Sequence, residues 1–383
     1  MREFQFEPFR LPEETRALRA EVRQFLEENL RDYPVPLRAH TWTGYDQAFS
    51  RKVGERGWIG MTWPRKYGGG ERSAFERYVV LEEMLAAGAP VGAHWVGDRQ
   101  SGPLLLRYGT EEQRNRFIGR ICRGEIFFCI GMSEPDSGSD LASIRTRATM
   151  TKEGWRVNGT KLWTSGAQRS DYMIALFRTA VDPEDRHAGL SQFIVDLNSP
   201  GITVRPIRDL SGSDHFCEVL FEDALVPGDM MIGGEGDGWI QVITELAFER
   251  SGPERYLSCY PLLTELLREL AKGSEKPDLA GIGRQVANLA TLRNMSISVA
   301  GLIEKGESPA FEACVVKDLG GIFEQALPGF AQSVLDHEPR ADAGASDYQK
   351  MLALLTQIAP SFSLRGGTRE ILRGIIARGL GLR

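Results

Sequence analysis

Cysteine and histidine are both scarce in this chain, and neither is spaced for disulfide or metal chemistry. The 383 residues hold five cysteines, Cys122, Cys129, Cys217, Cys259 and Cys314. Their number is odd and no Cys-x-x-Cys pair occurs, which argues against a disulfide framework or a zinc knuckle, so the thiols are expected to be reduced and mostly buried. The five histidines, His40, His94, His187, His215 and His337, lack metal-ligand spacing, and no metal site is expected. Long apolar runs are missing too: nothing approaches the roughly 18 consecutive apolar residues of a membrane helix. A basic excess is also absent. With a net charge of -6 and interspersed signs, the chain has no nucleic-acid surface to offer. The opening Met-Arg-Glu-Phe-Gln-Phe-Glu-Pro puts acids where a signal peptide needs its apolar centre, so a cytoplasmic protein without membrane insertion is expected. No internal repeat or low-complexity tract is visible.

What is present is the composition of a globular protein, 42% apolar and 26% charged, in a chain longer than one hydrophobic core supports. Leu18, Val22, Phe25, Leu26 and Leu30 recur on a helical period behind Pro12, which predicts an amphipathic helix over 13–30. Further helices are expected near 46–55, 72–87, 99–107 and 111–121. From about 126 the pattern changes to short apolar or alternating runs, at 172–177, 192–197, 202–207 and 218–221, separated by Pro, Gly and Asp. Asn158-Gly159, between Trp155-Arg156-Val157 and Lys161-Leu162-Trp163, signals a hairpin. Strands without intervening helices imply an antiparallel sheet or small barrel. The Gly233–Gly238 stretch then reads as a flexible junction, after which helices fit 253–272, 279–305 and 311–336, with a polar break near 338–346 and a last helix from about Thr368. Gly252-Pro253 should end the first helix after the junction. The expected fold class is α+β: a helical N-terminal domain (1–125), a middle antiparallel β domain (126–232) and a C-terminal helical bundle (233–383).

The stretch Phe127 to Asp140 joins an apolar run to a loop of small and acidic residues, the pattern of a buried strand entering a binding loop. Pro135 stops sheet pairing, Gly138 frees the backbone, and Ser133, Ser137 and Ser139 supply hydroxyls that donate and accept. Three later stretches join it: Val157-Asn158-Gly159-Thr160-Lys161-Leu162-Trp163-Thr164-Ser165, Leu220 to Pro227, and Gly366-Gly367-Thr368-Arg369-Glu370-Ile371-Leu372. In order and spacing these resemble the acyl-CoA dehydrogenases, an FAD-dependent family.

The resemblance implies an acyl-CoA dehydrogenase-like fold ending in a four-helix bundle, assembled as a dimer or tetramer with like or related chains. FAD would lie between the β domain and the bundle, with a neighbouring subunit over its adenosine half. Met132, Ser133, Trp163, Thr164 and Ser165 would meet the flavin from one side, and Gly367, Thr368 and Glu370 from the other. Ser139, Arg250 and Gly366 would touch the acyl-CoA. The protein's task is then to position the cofactor. The implied reaction, part of lipid metabolism, is α,β-dehydrogenation of an acyl thioester to the trans-2-enoyl-CoA. A carboxylate takes the α-proton, the β-hydrogen leaves as hydride, and hydrogen bonds at the thioester carbonyl stabilise the enolate. Electron-transfer flavoprotein is the implied acceptor.

The sequence departs from the family pattern at the base. Where most members place a glutamate just before the Gly-Thr of the C-terminal motif, this chain has Gly366. A minority place it in a Glu-Arg motif on the first C-terminal helix, and an ungapped count from Gly238 puts that position at Glu249, followed by Arg250. Glu254-Arg255 is a second such pair. Glu254 follows Pro253 in a first helical turn, which suits a capping carboxylate, whereas Glu249 sits near a helix's negative end, where a carboxylate is a stronger base. Glu249 is the expected base and Glu254 the alternative. Two adenosine-binding elements are altered as well, at Glu275 to Ile282 and around Gly320-Gly321. These departures keep two other readings open: a non-catalytic or half-site subunit of a heteromeric enzyme, and a flavin oxidase or monooxygenase on the same fold. Gly366 would also leave room for a branched or cyclic acyl group.

Overall fold

The computed structural model describes residues 4–248, 252–273, 278–335 and 337–382. In chain order its first helices are α1 (Thr15–Asn29), α2 (Gln47–Glu55), α3 (Ala74–Ala86), α4 (Gly92–Val96), α5 (Gly102–Tyr108) and α6 (Glu111–Cys122). Strands follow: β1 (Phe128–Gly131), β2 (Arg147–Thr151), β3 (Gly154–Ser165), β4 (Tyr172–Arg178), β5 (Leu190–Asp196), β6 (Ile202–Ile207), β7 (Phe216–Val226) and β8 (Met231–Ile232). The chain returns to helix in α7 (Gly238–Phe248), α8 (Tyr260–Lys272), α9 (Leu279–Glu304), α10 (Ala310–Val334), α11 (Asp347–Ile358) and α12 (Arg369–Gly379). Side chains mark several starts: Ser73 with Glu76, Thr110 with Gln113 and Ser346 with Gln349 form reciprocal caps on α3, α6 and α11.

These elements gather into two compact units. A sheet unit comprises Asp46–Glu71 and Gly92–Leu246, and a helical unit comprises Met1–Tyr45, Arg72–Val91 and Ala247–Arg383. In the sheet unit the strands run in the order β6-β7-β3-β2-β4-β5-β8, with β1 paired to β4. Pairing is antiparallel except that β1 and β4 run parallel, as does the single β2–β4 contact at Arg147 and Arg178. The wholly antiparallel expectation is corrected there. Residues 173–177 of β4 are fully buried, as are Leu190, Phe193 and Ile194 of β5, which explains their unbroken apolar runs.

The Asn158-Gly159 hairpin does not form. β3 runs through it as one twelve-residue strand, and the turn lies one element earlier, at Lys152-Glu153, where Thr151 pairs with Gly154 across the β2–β3 ladder. β7 pairs with both halves of β3 and absorbs the irregularity as a register shift between Val157 and Gly159. Gly159 is required there at φ +140°, because a Cβ would lie 2.7 Å from the Thr146 Cα.

In the helical unit α8, α10 and α11 share a core of Leu262, Leu266, Leu327, Tyr348, Met351 and Leu355, among others. α11 was not expected, and α8 begins at Tyr260 rather than 253, preceded by a short 3₁₀ turn, Pro253–Arg255. One 18-residue window of α9 reaches a mean hydropathy of 1.2, so by length and composition this helix could cross a membrane. It packs instead against α3 and α10, and its Arg293 pairs with Glu82 at 2.6 Å. All five cysteines are buried free thiols.

Candidate functional site

In the sheet unit the structure brings together two of the stretches singled out by sequence. The β1–β2 loop carries Met132, Ser133 and Ser139, and it joins the end of β3, which carries Trp163, Thr164 and Ser165. Leu162 N–H donates to the Ser133 carbonyl at 2.8 Å. Trp163 has φ +60°, a left-handed conformation that costs a non-glycine residue roughly 1–3 kcal/mol. It sits inside a second register shift against β7, between Lys161 and Thr164. The bulge turns the indole outward, so this large apolar ring is 55% exposed, edge-on to Phe216 at 5.8 Å. Next to it Thr164 is 1% exposed, and its Oγ1 has no hydrogen-bond partner among the described residues. A strained, exposed aromatic beside an orphaned buried hydroxyl is what a ring-shaped ligand with polar edges would complete. Ser165 and Ser139 are exposed and Met132 and Ser133 half-buried, so all can reach a ligand.

Beneath this surface lies a buried ion pair. Lys161 is 0% exposed, and its Nζ donates to Glu134 Oε1 at 2.8 Å and to the Met132 carbonyl at 3.1 Å. Glu134 also accepts the backbone N–H groups of Arg145 at 2.6 Å and Thr146 at 3.0 Å. Burial pushes Lys161 down to about 8 against the pull of Glu134. Burial pushes Glu134 up, but Lys161 and the Thr146 and Arg145 donors outweigh it and hold the carboxyl below its usual range. Sequence reasoning missed this pair, although a lysine at an inward position of a strand was a signal.

The helical unit holds the third stretch. Gly366 and Gly367 both have positive φ, +66° and +96°. Thr368 caps α12, accepting from Ile371 N–H at 3.5 Å, and the Glu370 carboxyl is held below its usual range by its own backbone N–H and by Thr368. Two buried cations face Gly366. A Cβ built there would lie 3.4 Å from Arg255 Nη2 and 3.5 Å from Lys317 Cε, and Lys317 Nζ donates to the Gly367 carbonyl. Arg255 and Lys317 are 5% and 4% exposed. Glu254 is 1% exposed, pairing with Arg255 at 3.5 Å, so it is no helix-surface ion and stands on a 3₁₀ turn rather than a new α-helix. Glu249 and Arg250 lie outside the described residues. Gly320 is buried in α10, where a Cβ would collide with the Arg255 carbonyl, so that glycine serves close packing.

Two cavities flank these elements. One, of about 420 Å³ in the sheet unit, is lined by Ser143, Ile144, Arg145, Arg147, Arg178 and Val181. The other, of about 1030 Å³ in the helical unit, is lined by α1, α3 and α9 around an Arg19, Arg23, Arg293, Glu82 and Glu83 network, and contains none of the expected site residues.

Comparison with known proteins bears out the family resemblance. The family models for the acyl-CoA dehydrogenase N-terminal and middle domains match residues 12–125 and 129–224. The acyl-CoA dehydrogenase IpdE1 of Mycobacterium tuberculosis is 33% identical over 95% of this chain and 97% of its own length. Among solved structures, the Tcur3481-Tcur3483 steroid ACAD superposes with a TM-score of 0.86 at 28% identity, covering 97% of this chain and 98% of that one. The ChsE4-ChsE5 complex from Mycobacterium tuberculosis superposes at 0.83 and 27%, covering 98% and 100%. The chain is thus a flavoprotein oxidoreductase. It belongs to the acyl-CoA dehydrogenase family, with the helical, β and helical blocks of that fold.

Proposed function

We propose that this chain dehydrogenates a ring-bearing acyl-CoA across its α and β carbons, with FAD as cofactor and Glu249 as base, in an assembly with a second, related chain. The observation that carries this reading is position 366. No carboxylate stands there, and two buried cations, Arg255 and Lys317, face it. With no carboxylate at that position, the proton acceptor must come from elsewhere. Glu249 is the candidate that position along the chain supplies. The missing side chain also leaves volume that a cyclic acyl group can use. The printed names of the similar structures support both finer points, since one is a steroid ACAD and the other a complex of ChsE4 with ChsE5.

The residues present fit a flavin. Trp163 offers a face, and the orphaned Thr164 Oγ1, with Ser133 and Ser165, offers groups that orient a ring whose edges donate and accept. From the C-terminal stretch, Gly367, Thr368 and Glu370 are the residues that the family resemblance gives to FAD. Bound FAD supplies the two-electron acceptor for the hydrogen leaving the β-carbon. Ser139 would hold the substrate near the loop, and Arg145 and Arg147 at the 420 Å³ cavity suit the phosphates of CoA, while Arg178 beside them is committed to backbone carbonyls. Electron-transfer flavoprotein in the cytoplasm is the acceptor this reading calls for.

The test is to purify the chain alone and with a co-expressed related chain, record the visible flavin spectrum, and titrate anaerobically with ring-bearing and straight-chain acyl-CoAs. Ring-bearing thioesters should bleach the flavin. Glu249→Gln should keep the spectrum and slow reduction by roughly 10²–10⁴-fold, the usual worth of a general base. Undiminished reduction in that variant removes Glu249 from the role and passes it to Glu254 or to a residue of the partner chain. A strict preference for short straight chains removes the ring.

A further inference from the structure

We infer that Lys161 and Glu134 are positioning residues, whose buried ion pair fixes the β1–β2 loop and the end of β3 in the register that presents Ser133 and Trp163 to the flavin. This rests on the flavin reading above. The evidence is the number of separate segments that meet at one carboxylate. Glu134 stands near the start of the loop, and its oxygens accept the backbone N–H groups of Arg145 and Thr146, eleven and twelve residues later at the loop's end. The same carboxylate receives Lys161 from β3, and Lys161 reaches past it to the Met132 carbonyl. Two bonds extend the joint: Leu162 N–H to the Ser133 carbonyl at 2.8 Å and Thr146 Oγ1 to the Thr160 carbonyl at 3.3 Å. Arg178 on β4 holds the middle of the loop through the carbonyls of Ala142 at 2.7 Å and Ile144 at 3.1 Å.

Stability alone does not explain the pair. An ion pair this deeply buried can often be replaced by apolar groups at little or no cost, whereas it enforces one arrangement because a slipped partner leaves a charge uncompensated. The place where it acts matters. Lys161 is the last residue of β3 in register with β7 before the shift that carries Trp163. Fixing position 161 against the loop therefore fixes where the strained tryptophan begins. Without that anchor, the bulge could move along the strand and take the ring with it.

The test uses Lys161→Met, and Glu134→Gln in case the methionine variant does not fold. Backbone amide hydrogen exchange is measured on the flavin-free chain, and FAD affinity on the same preparations. The inference expects exchange at Arg145, Thr146 and Leu162 to quicken at least tenfold while the β4 and β5 amides keep their wild-type rates, and FAD affinity to fall at least tenfold. Unchanged exchange at those three amides overturns it. Faster exchange with wild-type FAD affinity also overturns it, since the pair would then be structural only. A wild-type chain that binds no FAD even with the co-expressed related chain sinks the flavin reading instead, and the exchange comparison still decides whether the pair anchors the loop.

Discussion

The two stretches that sequence assigns to cofactor and substrate are built in opposite ways. In the sheet unit, charge is hidden beneath the surface in the Lys161–Glu134 pair, and what faces outward is neutral: an exposed indole, small hydroxyls and one orphaned Thr164 Oγ1. In the helical unit, two buried cations, Arg255 and Lys317, stand directly against the bare backbone of Gly366, Arg255 also pairing with Glu254 at 3.5 Å. The first arrangement suits an uncharged ring that must be oriented. The second favours negative charge, and so disfavours a carboxylate that has to pick up a proton. The contrast separates the two tasks that the proposed function assigns, holding the cofactor and supplying the base, and Glu249, the first candidate for the second, lies outside the described residues.

The sharpest way to break this contrast is Glu249→Gln, where single-turnover flavin reduction should fall by roughly 10²–10⁴-fold with the bound flavin's spectrum unchanged. Next comes the response to acid, which should set the units against each other. His94 in the sheet unit is 6% exposed, bonded through Nδ1 to Ser50 Oγ at 2.8 Å; burial, opposed by Asp98, pushes it down to about 4. Its folded value lies below its unfolded one, so the unfolded chain binds more protons between pH 6.5 and 4. Stability is lost as pH falls through that window, by about 3 kcal/mol from this group. Glu324 in the helical unit runs the other way, pushed up by burial despite Arg365 and Ser258, and so favours that unit as pH falls. Thermal denaturation between pH 7 and 4.5 should show the sheet unit losing ground first, and His94→Gln should flatten that loss. An equal acid response in both units would erase the distinction.

A smaller effect is expected from Gly320→Ala. The new Cβ meets the Arg255 carbonyl, a backbone atom that cannot swing aside, so about 2 kcal/mol of stability should be lost in denaturant titration. Arg255 must also shift, which disturbs the surroundings of Gly366 while the sheet unit's Trp163 fluorescence keeps its wild-type value.

Much of this was readable in the residues, because most of the elements follow from local periodicity. Helix α1, with Leu18, Val22, Phe25 and Leu26, and the apolar runs of β4 and β5 show their burial in their spacing. The Asn158-Gly159 signal misled because it is local, whereas β7 pairs across both sides of it and Thr146 dictates the glycine from outside the strand. α11 was legible and overlooked: Ser346 and Gln349 spell a capping box, and Tyr348, Met351, Leu352 and Leu355 keep the helical period. The Lys161–Glu134 pair joins residues far apart in sequence, and only the inward parity of Lys161 with the buried Trp155 and Val157 hinted at it. The Arg255 and Lys317 cations around Gly366 come from two further elements, and no spacing rule brings them there.

The smallest predicted change addresses Gly366 itself. At φ +66° alanine pays the left-handed penalty of roughly 1 kcal/mol, but nothing clashes: its Cβ would stand 3.4 Å from Arg255 Nη2 and 3.5 Å from Lys317 Cε, ordinary contact distances. Gly366→Ala should therefore fold, with a melting temperature lower by about 2 °C. Its effect on substrates is the informative part. If the glycine makes room for a ring, KM for ring-bearing acyl-CoA should rise several-fold while straight-chain thioesters bind as before, since one methyl group in a filled pocket is worth about 1–3 kcal/mol. An equal change for both substrate classes would mean that the glycine answers only to the backbone, and the two cations would then explain the missing carboxylate without any help from substrate shape.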